Sequence, residues 1–331
     1  MTQTDALALG RSLFTDHYPN FSRFEEAYTN AGIKQRHICV PLEWLHETHG
    51  WKECNELYVS EALNLLERAA QQCLNEAGLT PNQIDGIVIA SSTGLATPSL
   101  DVRLAQRMPF RNDIKRLPIF GLGCAGGATG LARTAELAKA APGSRWLFLV
   151  VELCSLTFRA ADRNKANIIA TALFGDGAAA AIISTTGAGT SIVTSGEYTW
   201  PATLDVMGWR IEDDGFGVLF SKDIPTIIRN DLLAPLKIFL TQSTCELSNI
   251  DSFIFHPGGA KVLDALDEII QPKKPGFSHA RKVMEKYGNM SAPTVLFVYD
   301  EARRHGRLGN ALMAALGPGF SASFLRLEDP L

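Results

Sequence analysis

Two stretches of the chain lying 166 residues apart repeat one pattern. LTPNQIDGIVIAS (79–91) and ELSNIDSFIFHP (246–257) each set Ile-Asp directly before an apolar run, with Ile84 aligned on Ile250. Further on, Gly123-Cys124, ahead of a run of small residues, finds its counterpart 165 residues later in Gly288-Asn289, ahead of Met290-Ser291-Ala292. Self-similarity on the scale of half a chain means a duplicated structural unit, which restricts the fold before any motif is considered. Equivalent strand ends of two such units meet about a pseudo-two-fold axis, and Cys124, His256 and Asn289 each fall at such an end.

Periodicity says what the unit contains. Leu63, Leu66, Ala70, Cys73, Leu74 and Ala77 recur at helical spacing, predicting an amphipathic helix over Tyr58–Gly78 that Gly78 stops. Ile84–Ala90 and Arg145–Glu152 are too apolar for edge strands and read as buried parallel ones. A helix over Pro98–Gln106 and a second running to about Ala141 complete the alternation, which predicts a mostly parallel sheet covered by helices. Residues 1–50 read as mixed helix and loop, and Ser195–Asp214 has too few periodic apolar residues for a regular element and reads as a loop over a cavity.

Composition excludes several classes of function. With 331 residues, 46% of them hydrophobic, and a net charge of −4, the chain has a large core and no basic footprint for nucleic acid or a membrane surface. Residues 1–11 lack the basic-then-apolar order of a secretory signal, and the runs Trp146–Val151 and Ile168–Ser184 are too short or too interrupted to span a bilayer. The six cysteines show no CxxC spacing, arguing against a disulfide framework or structural zinc and for a cytoplasmic chain with reduced thiols.

Cys124 lies within LPIFGLGCAGGATGL (117–131), which reads as a short apolar strand over Leu117–Phe120, a turn on Gly121 and Gly123, and a helix start of very small residues. Glycine costs about 1 kcal/mol in a helix, so the crowding of small residues is expected to clear room for a substrate carbonyl beside a thiol favoured by the helix N-terminus. The bland alternative is a small buried cysteine on a packed helix. His256 offers an imidazole that can hold the thiolate, and Asn289 an amide to polarise a thioester or stabilise an enolate. Each also has an ordinary structural reading, a satisfied buried histidine and a helix cap. A papain-like protease also uses Cys, His and Asn, but needs neither the duplication nor the glycine-rich flanks.

The segments GLGCAGG (121–127), VELCSLTFR (151–159), ALFGDGAAAAII (172–183), FSKDIP (220–225), FHPGG (255–259), YGNMSAP (287–293) and LGPGF (316–320) resemble, in order, those of the type III polyketide synthases, the chalcone synthase-like branch of the thiolase superfamily. The resemblance covers about residues 30 to 327. It implies an α/β fold of duplicated, thiolase-like αβαβα architecture in two pseudo-symmetric halves, 1–186 carrying the cysteine and 187–331 carrying His and Asn. It implies that Cys124 takes a starter acyl group from CoA, and that His256 and Asn289 hold malonyl-CoA, promote its decarboxylation and stabilise the enolate. The product would close to a pyrone or resorcinol. Phe174 matches the gatekeeper phenylalanine, and Ser92, Cys154, Thr157, Trp209, Val218 and Ser291 would line the cavity.

Several positions depart from the family pattern. Val218 stands where chalcone synthases carry a second gatekeeper phenylalanine, and Trp209 falls near a usual glycine; its alternative reading is a surface-loop aromatic. Thr97 replaces a methionine that crosses the subunit interface. The basic cluster for CoA phosphates is thin: Arg23 fits, Glu26 and Asn30 occupy the other positions, and Arg36, Lys34 or Arg303 are substitutes. The resemblance further implies a homodimer and no metal or cofactor beyond the CoA thioesters. Pro257-Gly258-Gly259 after the histidine favours this group over ketoacyl-carrier-protein synthase III enzymes, which take malonyl groups from acyl carrier protein and form the alternative reading. A silent acyl-CoA-binding protein of the same fold would have lost Cys, His or Asn.

Overall fold

Helix α3 shows how the apolar pattern becomes structure. Tyr58, Ala62, Leu63, Leu66, Ala70 and Leu74 form its buried face, and Gly78 closes it in the left-handed conformation (φ 64°), its N–H returning to Leu74 and Asn75. The computed structural model, which describes residues 1–272 and 275–330, starts this helix earlier than the periodicity does, at Trp51, and runs it to Ala77. Its first turns carry good helix formers without an apolar stripe, and Trp51 is held by the ring of Phe216, 4.8 Å away. Helices α1 (Gln3–Phe14) and α2 (Ser22–Thr29) precede it.

The next elements are β1 (Gly86–Ala90), α4 (Leu100–Arg107), β2 (Lys115–Ile119), α5 (Gly126–Ala140), β3 (Arg145–Leu153), α6 (Lys165–Leu173) and β4 (Asp176–Ser184). They make a sheet of order β2-β1-β3-β4, parallel except for β4. β1 and nearly all of β3 are buried, as their unbroken apolar runs require. β2 is an exposed edge, the position in which its Pro118 is tolerated.

The chain continues through β5 (Ser191–Thr199), β6 (Met207–Glu212), β7 (Gly215–Phe220), α7 (Ile224–Asp231), α8 (Leu233–Gln242), β8 (Ser252–Phe255), α9 (Ala260–Ile270), α10 (Ser278–Tyr287), α11 (Thr294–Arg304), β9 (Asn310–Gly317) and β10 (Ser321–Glu328). Strands β5-β10-β9-β8 form a second sheet in which only β8 and β9 are parallel. The expectation of a mostly parallel sheet therefore holds for the first sheet and fails for the second, because the short Pro318-Gly319 turn returns β10 antiparallel to β9. The expected loop over 195–214 is also corrected: β5 reaches Thr199, and β6 forms a hairpin with β7.

The repeat is visible in detail. Pro81–Gln83 and Leu247–Asn249 are both single 3-10 turns, each with reciprocal bonds between the residue before the turn and its third residue. Each is closed by the aligned isoleucine and followed by a strand, β1 or β8.

The small residues of α5 have a packing reason that the sequence reading did not foresee. A Cβ on Gly130 would lie 2.3 Å from the Phe148 ring, and one on Gly127 would lie 2.2 Å from the Ala292 carbonyl. Ten residues of α5 are buried, because the helix runs between the two sheets and against α11. Close approach of backbone and sheet, rather than room for substrate, accounts for most of that composition.

Candidate active site

Cys124 sits on the 3-10 turn Gly123–Ala125 that leads into α5 and is buried. Gly123 adopts φ 48°, and its N–H donates to Ser92 Oγ at 3.1 Å. A side chain there would meet the Pro318 ring at 2.7 Å, so the turn is gripped between the ends of both sheets. The sulfur lies 3.3 Å from Ser291 Oγ. Burial pushes the thiol up to about 12, against the lowering effect of that hydroxyl.

His256 follows β8, with its N–H bonded to Ala314 O of β9 at 2.8 Å. It is buried, neither ring nitrogen has a hydrogen-bond partner among the described residues, and burial lowers its pKa to about 4. The imidazole is therefore neutral at physiological pH, and burial equally favours a neutral thiol at Cys124. The resting site holds two uncharged groups, with both ring nitrogens of neutral His256 uncommitted, one carrying an N–H to donate and the other a lone pair to accept a proton.

Asn289 is fully buried and bonded on every side. Its Nδ2 donates to Gly258 O (3.2 Å), and its Oδ1 accepts from the Ser291 N–H (2.8 Å). Its main chain bridges the residues on either side of Phe174: Asn289 N–H donates to Leu173 O and Gly175 N–H donates to Asn289 O, both at 2.9 Å. Asn289 thus links the turn after His256, the residues flanking Phe174, and, through Ser291, the cysteine. One Nδ2 hydrogen remains for a ligand.

A cavity of about 460 Å³ opens at Cys124. Six residues expected at the site from sequence line it with the cysteine: Ser92, Cys154, Phe174, Trp209, Val218 and Ser291. His256 and Asn289 are not on that wall, and Asn289 stands behind it, bonded to Ser291. Thr157 lines a neighbouring, mostly apolar cavity with Leu9, Ile38 and Leu45 and with the polar Ser155, Asn167 and Thr171, and Cys154, Phe174, Trp209 and Val218 border both spaces. Trp209 is no surface-loop residue. It lies on β6 opposite Val218, stacks on Phe216 at 5.8 Å, and donates from Nε1 to Ser92 O at 2.8 Å.

Glu152 was missed as a site residue. It sits near the end of β3, fully buried on the cavity wall, with Oε2 accepting from Ser92 N–H (2.9 Å) and Thr93 Oγ1 (2.8 Å) and Oε1 without a partner. Burial raises its pKa to about 7. The available signal was an acid ending an otherwise apolar buried run, RWLFLVVE (145–152). Met207 and Phe220, also on the wall, carry no such signal.

The expected phosphate contacts divide. Arg23 lies exposed on α2. Arg36 is corrected: it is 1% exposed, and its guanidinium is consumed by the carbonyls of Thr171, Ala172 and Phe174, so no CoA phosphate reaches it. Lys34 pairs with Glu285, and Arg303 covers the Tyr299 ring. Among the described residues, His279, Glu301 and His305 come together with metal-ligand chemistry, but Lys282 already places its ammonium 3.0 Å from both Glu301 Oε1 and His305 Nε2.

Comparison with known proteins agrees with this geometry. The family models for the chalcone and stilbene synthases match residues 15–187 (N-terminal domain) and 191–324 (C-terminal domain). A Bacillus subtilis (strain 168) protein named for chalcone synthase is 37% identical, covering 98% of this chain and 94% of its own length. The 1,3,6,8-tetrahydroxynaphthalene synthase of Streptomyces peucetius subsp. caesius is 36% identical over 98% of this chain and 89% of its own. The solved 1,3,6,8-tetrahydroxynaphthalene synthase of Streptomyces coelicolor A3(2), a bacterial type III polyketide synthase, superposes with a TM-score of 0.95 at 29% identity, covering 100% of this chain and 96% of that one. Matched along almost all of its length in both sequence and fold, this chain belongs to the chalcone and stilbene synthase family and is a type III polyketide synthase.

Proposed function

We propose that this polyketide synthase loads an aliphatic acyl-CoA on Cys124, extends it with malonyl-CoA and releases a pyrone or resorcinol. The observation that carries the choice of starter is the mostly apolar cavity beyond Trp209 and Val218, which lies next to the cysteine's cavity and shares four residues with it. The relatives do not favour the alternative of a ketoacyl synthase that draws malonyl groups from acyl carrier protein.

In the first step the Cys124 proton passes to His256 as sulfur attacks the thioester carbonyl; the acyl–cysteine bond forms, the bond between the acyl carbon and the CoA sulfur breaks, and the imidazolium returns the proton to the departing CoA thiolate. Malonyl-CoA then loses carbon dioxide, and the electron pair of the broken bond becomes an enolate. The uncommitted His256 nitrogen and the remaining Asn289 N–H are the donors that stabilise it, in a site where burial strengthens such bonds. The enolate carbon attacks the acyl-cysteine carbonyl and expels the Cys124 thiolate, leaving the lengthened chain on CoA; for a further round the thiolate takes that chain and the CoA thiolate leaves, and after the last condensation the chain stays on CoA. Attack of an enol oxygen on the terminal thioester closes a pyrone and frees CoA. Decarboxylation supplies the driving force, so the scheme involves only CoA thioesters. Arg23 is the proposed phosphate contact.

We also propose that 1–186 and 187–331 are the duplicated halves, that the enzyme is cytoplasmic, and that it is a homodimer. The six unpaired cysteines fit a reducing compartment. Exposed Leu117, on the free edge strand β2, and Phe120, just after it, fit a covered face. Among the described residues no helix is long and apolar enough to cross a membrane.

Intact-protein mass spectrometry after mixing with acyl-CoAs from acetyl to long-chain, with Cys124→Ala as control, tests this reading. One acyl mass per chain on wild type, greatest for aliphatic chains and missing from the variant, is the expected result. Loading only from acyl carrier protein thioesters would overturn it.

A further inference from the structure

Helix α6 ends at the gatekeeper, and its last carbonyls have no partners within the helix. Three groups satisfy them, one being Gln3, whose Nε2 donates to Ala172 O at 3.1 Å. Arg36 donates through Nη1 to Thr171 O (2.9 Å) and Phe174 O (3.2 Å), and through Nη2 to Ala172 O (2.9 Å). The Asn289 N–H takes the carbonyl between them, Leu173 O, at 2.9 Å. A guanidinium and the main chain of the site asparagine therefore interleave on one helix end, with Phe174 between them.

We propose that Arg36 is a positioning residue for condensation: its guanidinium fixes the Phe174–Gly175 peptide, and through it the placement of Asn289. Three further observations support this. Among the described residues the guanidinium has no carboxylate partner; its bonds there go to carbonyl oxygens and to Gln3, and it lies at the negative end of the α6 dipole. The Arg36 stem lies against the two glycines that adjoin the site residues: a Cβ on Gly175 would come within 3.0 Å of Arg36 Cβ, and one on Gly288 within 3.3 Å. Phe174 and Asn289 pair as an isolated parallel bridge, so neither has a wider sheet to hold it in register. Burial lowers the guanidinium to about 10, which leaves it charged at neutral pH.

The geometry demands arginine. Its planar fork reaches three carbonyls at once, whereas a lysine ammonium is a single point with three donors on one nitrogen. Losing the fork orphans carbonyls on both sides of Phe174 and frees the strip that holds Asn289. The Cys124 turn on which starter loading depends is held by Ser92 and Pro318 from the opposite side, so a shift of Asn289 reaches loading only indirectly, through Ser291, but reaches condensation directly. The proposal thus separates loading from condensation, and it rests on the reading of Cys124 and Asn289 given above.

The test measures the two steps apart on Arg36→Lys and Arg36→Ala. Intact mass gives the fraction of chains acylated at Cys124, and product formation from malonyl-CoA is then expressed per acylated chain. Both variants are expected to acylate, with KM for the starter within about threefold of wild type, while condensation per acylated chain falls on the order of thirtyfold or more, as a displacement approaching 1 Å entails. Millimolar guanidinium chloride is expected to recover part of the Arg36→Ala loss, and sodium chloride at equal concentration none. A merely structural arginine would lower the acylatable fraction and leave the rate per acylated chain intact. That outcome in Arg36→Lys, the variant that keeps stem and charge, overturns the proposal even if Arg36→Ala does not fold. Wild-type protein that fails to acylate would instead overturn the functional reading.

Discussion

Ser291 presents its hydroxyl 3.3 Å from the sulfur of Cys124 from a backbone in the left-handed region, φ 57°, where serine is uncommon. The Asn289 side chain imposes that conformation by accepting the Ser291 N–H two residues on. The asparagine proposed above as a donor to the enolate thus also aims the hydroxyl beside Cys124. Replacing Ser291 separates the contact from the strain. Ser291→Gly relieves the left-handed cost and Ser291→Ala retains it, so the glycine variant is expected to be the more stable of the two by roughly 1 kcal/mol in urea unfolding. Both are expected to acylate Cys124 more slowly than wild type, and equal unfolding midpoints would show that the backbone there is unstrained.

Glu152 makes stability depend on pH in an unusual direction. Its pKa is about 7 in the fold and near 4.5 in an unfolded chain. Between these values the folded state binds the extra proton, so this group's contribution to stability falls as pH rises and is lost above about 7. Asp176, also buried and raised, acts in the same sense, while His256, lowered to about 4, acts in the opposite one. The observable is therefore the difference between wild type and Glu152→Gln, which stays neutral. The variant is expected to gain on wild type between pH 5 and pH 8, by at most about 3 kcal/mol, seen as a change in the gap between melting temperatures. A gap that does not move with pH would mean that Glu152 is not titrating in the fold.

The tight seam between α5 and its neighbours predicts which glycine matters for chemistry. Gly130→Ala pushes on the Phe148 ring, and Gly127→Ala pushes on the main-chain carbonyl of Ala292, next to Ser291. Both are expected to destabilise by about 1–3 kcal/mol, the usual cost of overpacking. Only Gly127→Ala is expected also to lower condensation per acylated chain, because only there does the displaced atom belong to the Asn289–Ala292 strip. Equal catalytic effects of the two would remove the distinction.

What was legible in the sequence followed from burial. Ile84–Ala90 and Arg145–Glu152 had one way to sit in a globular protein, and Gly78 marked the end of α3 because a left-handed cap favours glycine. Cys124, His256 and Asn289 were legible as strand and helix ends because duplication singles out equivalent positions. Arg36 was misread because it was offered as a substitute for the phosphate contacts that the family pattern lacks here, and only the three-dimensional end of α6 shows why a cation is buried there. Glu152 was hidden for a similar reason: its partners, Ser91, Ser92 and Thr93, come from another strand's end. The β6–β7 hairpin gave no periodic signal, since its register rests on cross-strand pairs such as Trp209 with Val218.

That pair divides the cysteine's cavity from its mostly apolar neighbour, and it yields a prediction with two signs. Trp209→Ala removes an indole that borders both spaces and that is tied to Ser92 O. The two cavities then merge, and longer acyl chains gain relative to short ones. Val218→Phe adds bulk on the same partition and is expected to do the reverse. In competition assays with mixed acyl-CoAs, the preferred chain length should move up in the first variant and down in the second, with each step worth about 0.8 kcal/mol for every methylene newly buried or excluded. Because both side chains stand on one hairpin, a general loosening would shift both variants the same way, whereas opposite shifts require the tail to pass between them. An unchanged preference in both would place the acyl tail elsewhere and remove the reason for assigning an aliphatic starter.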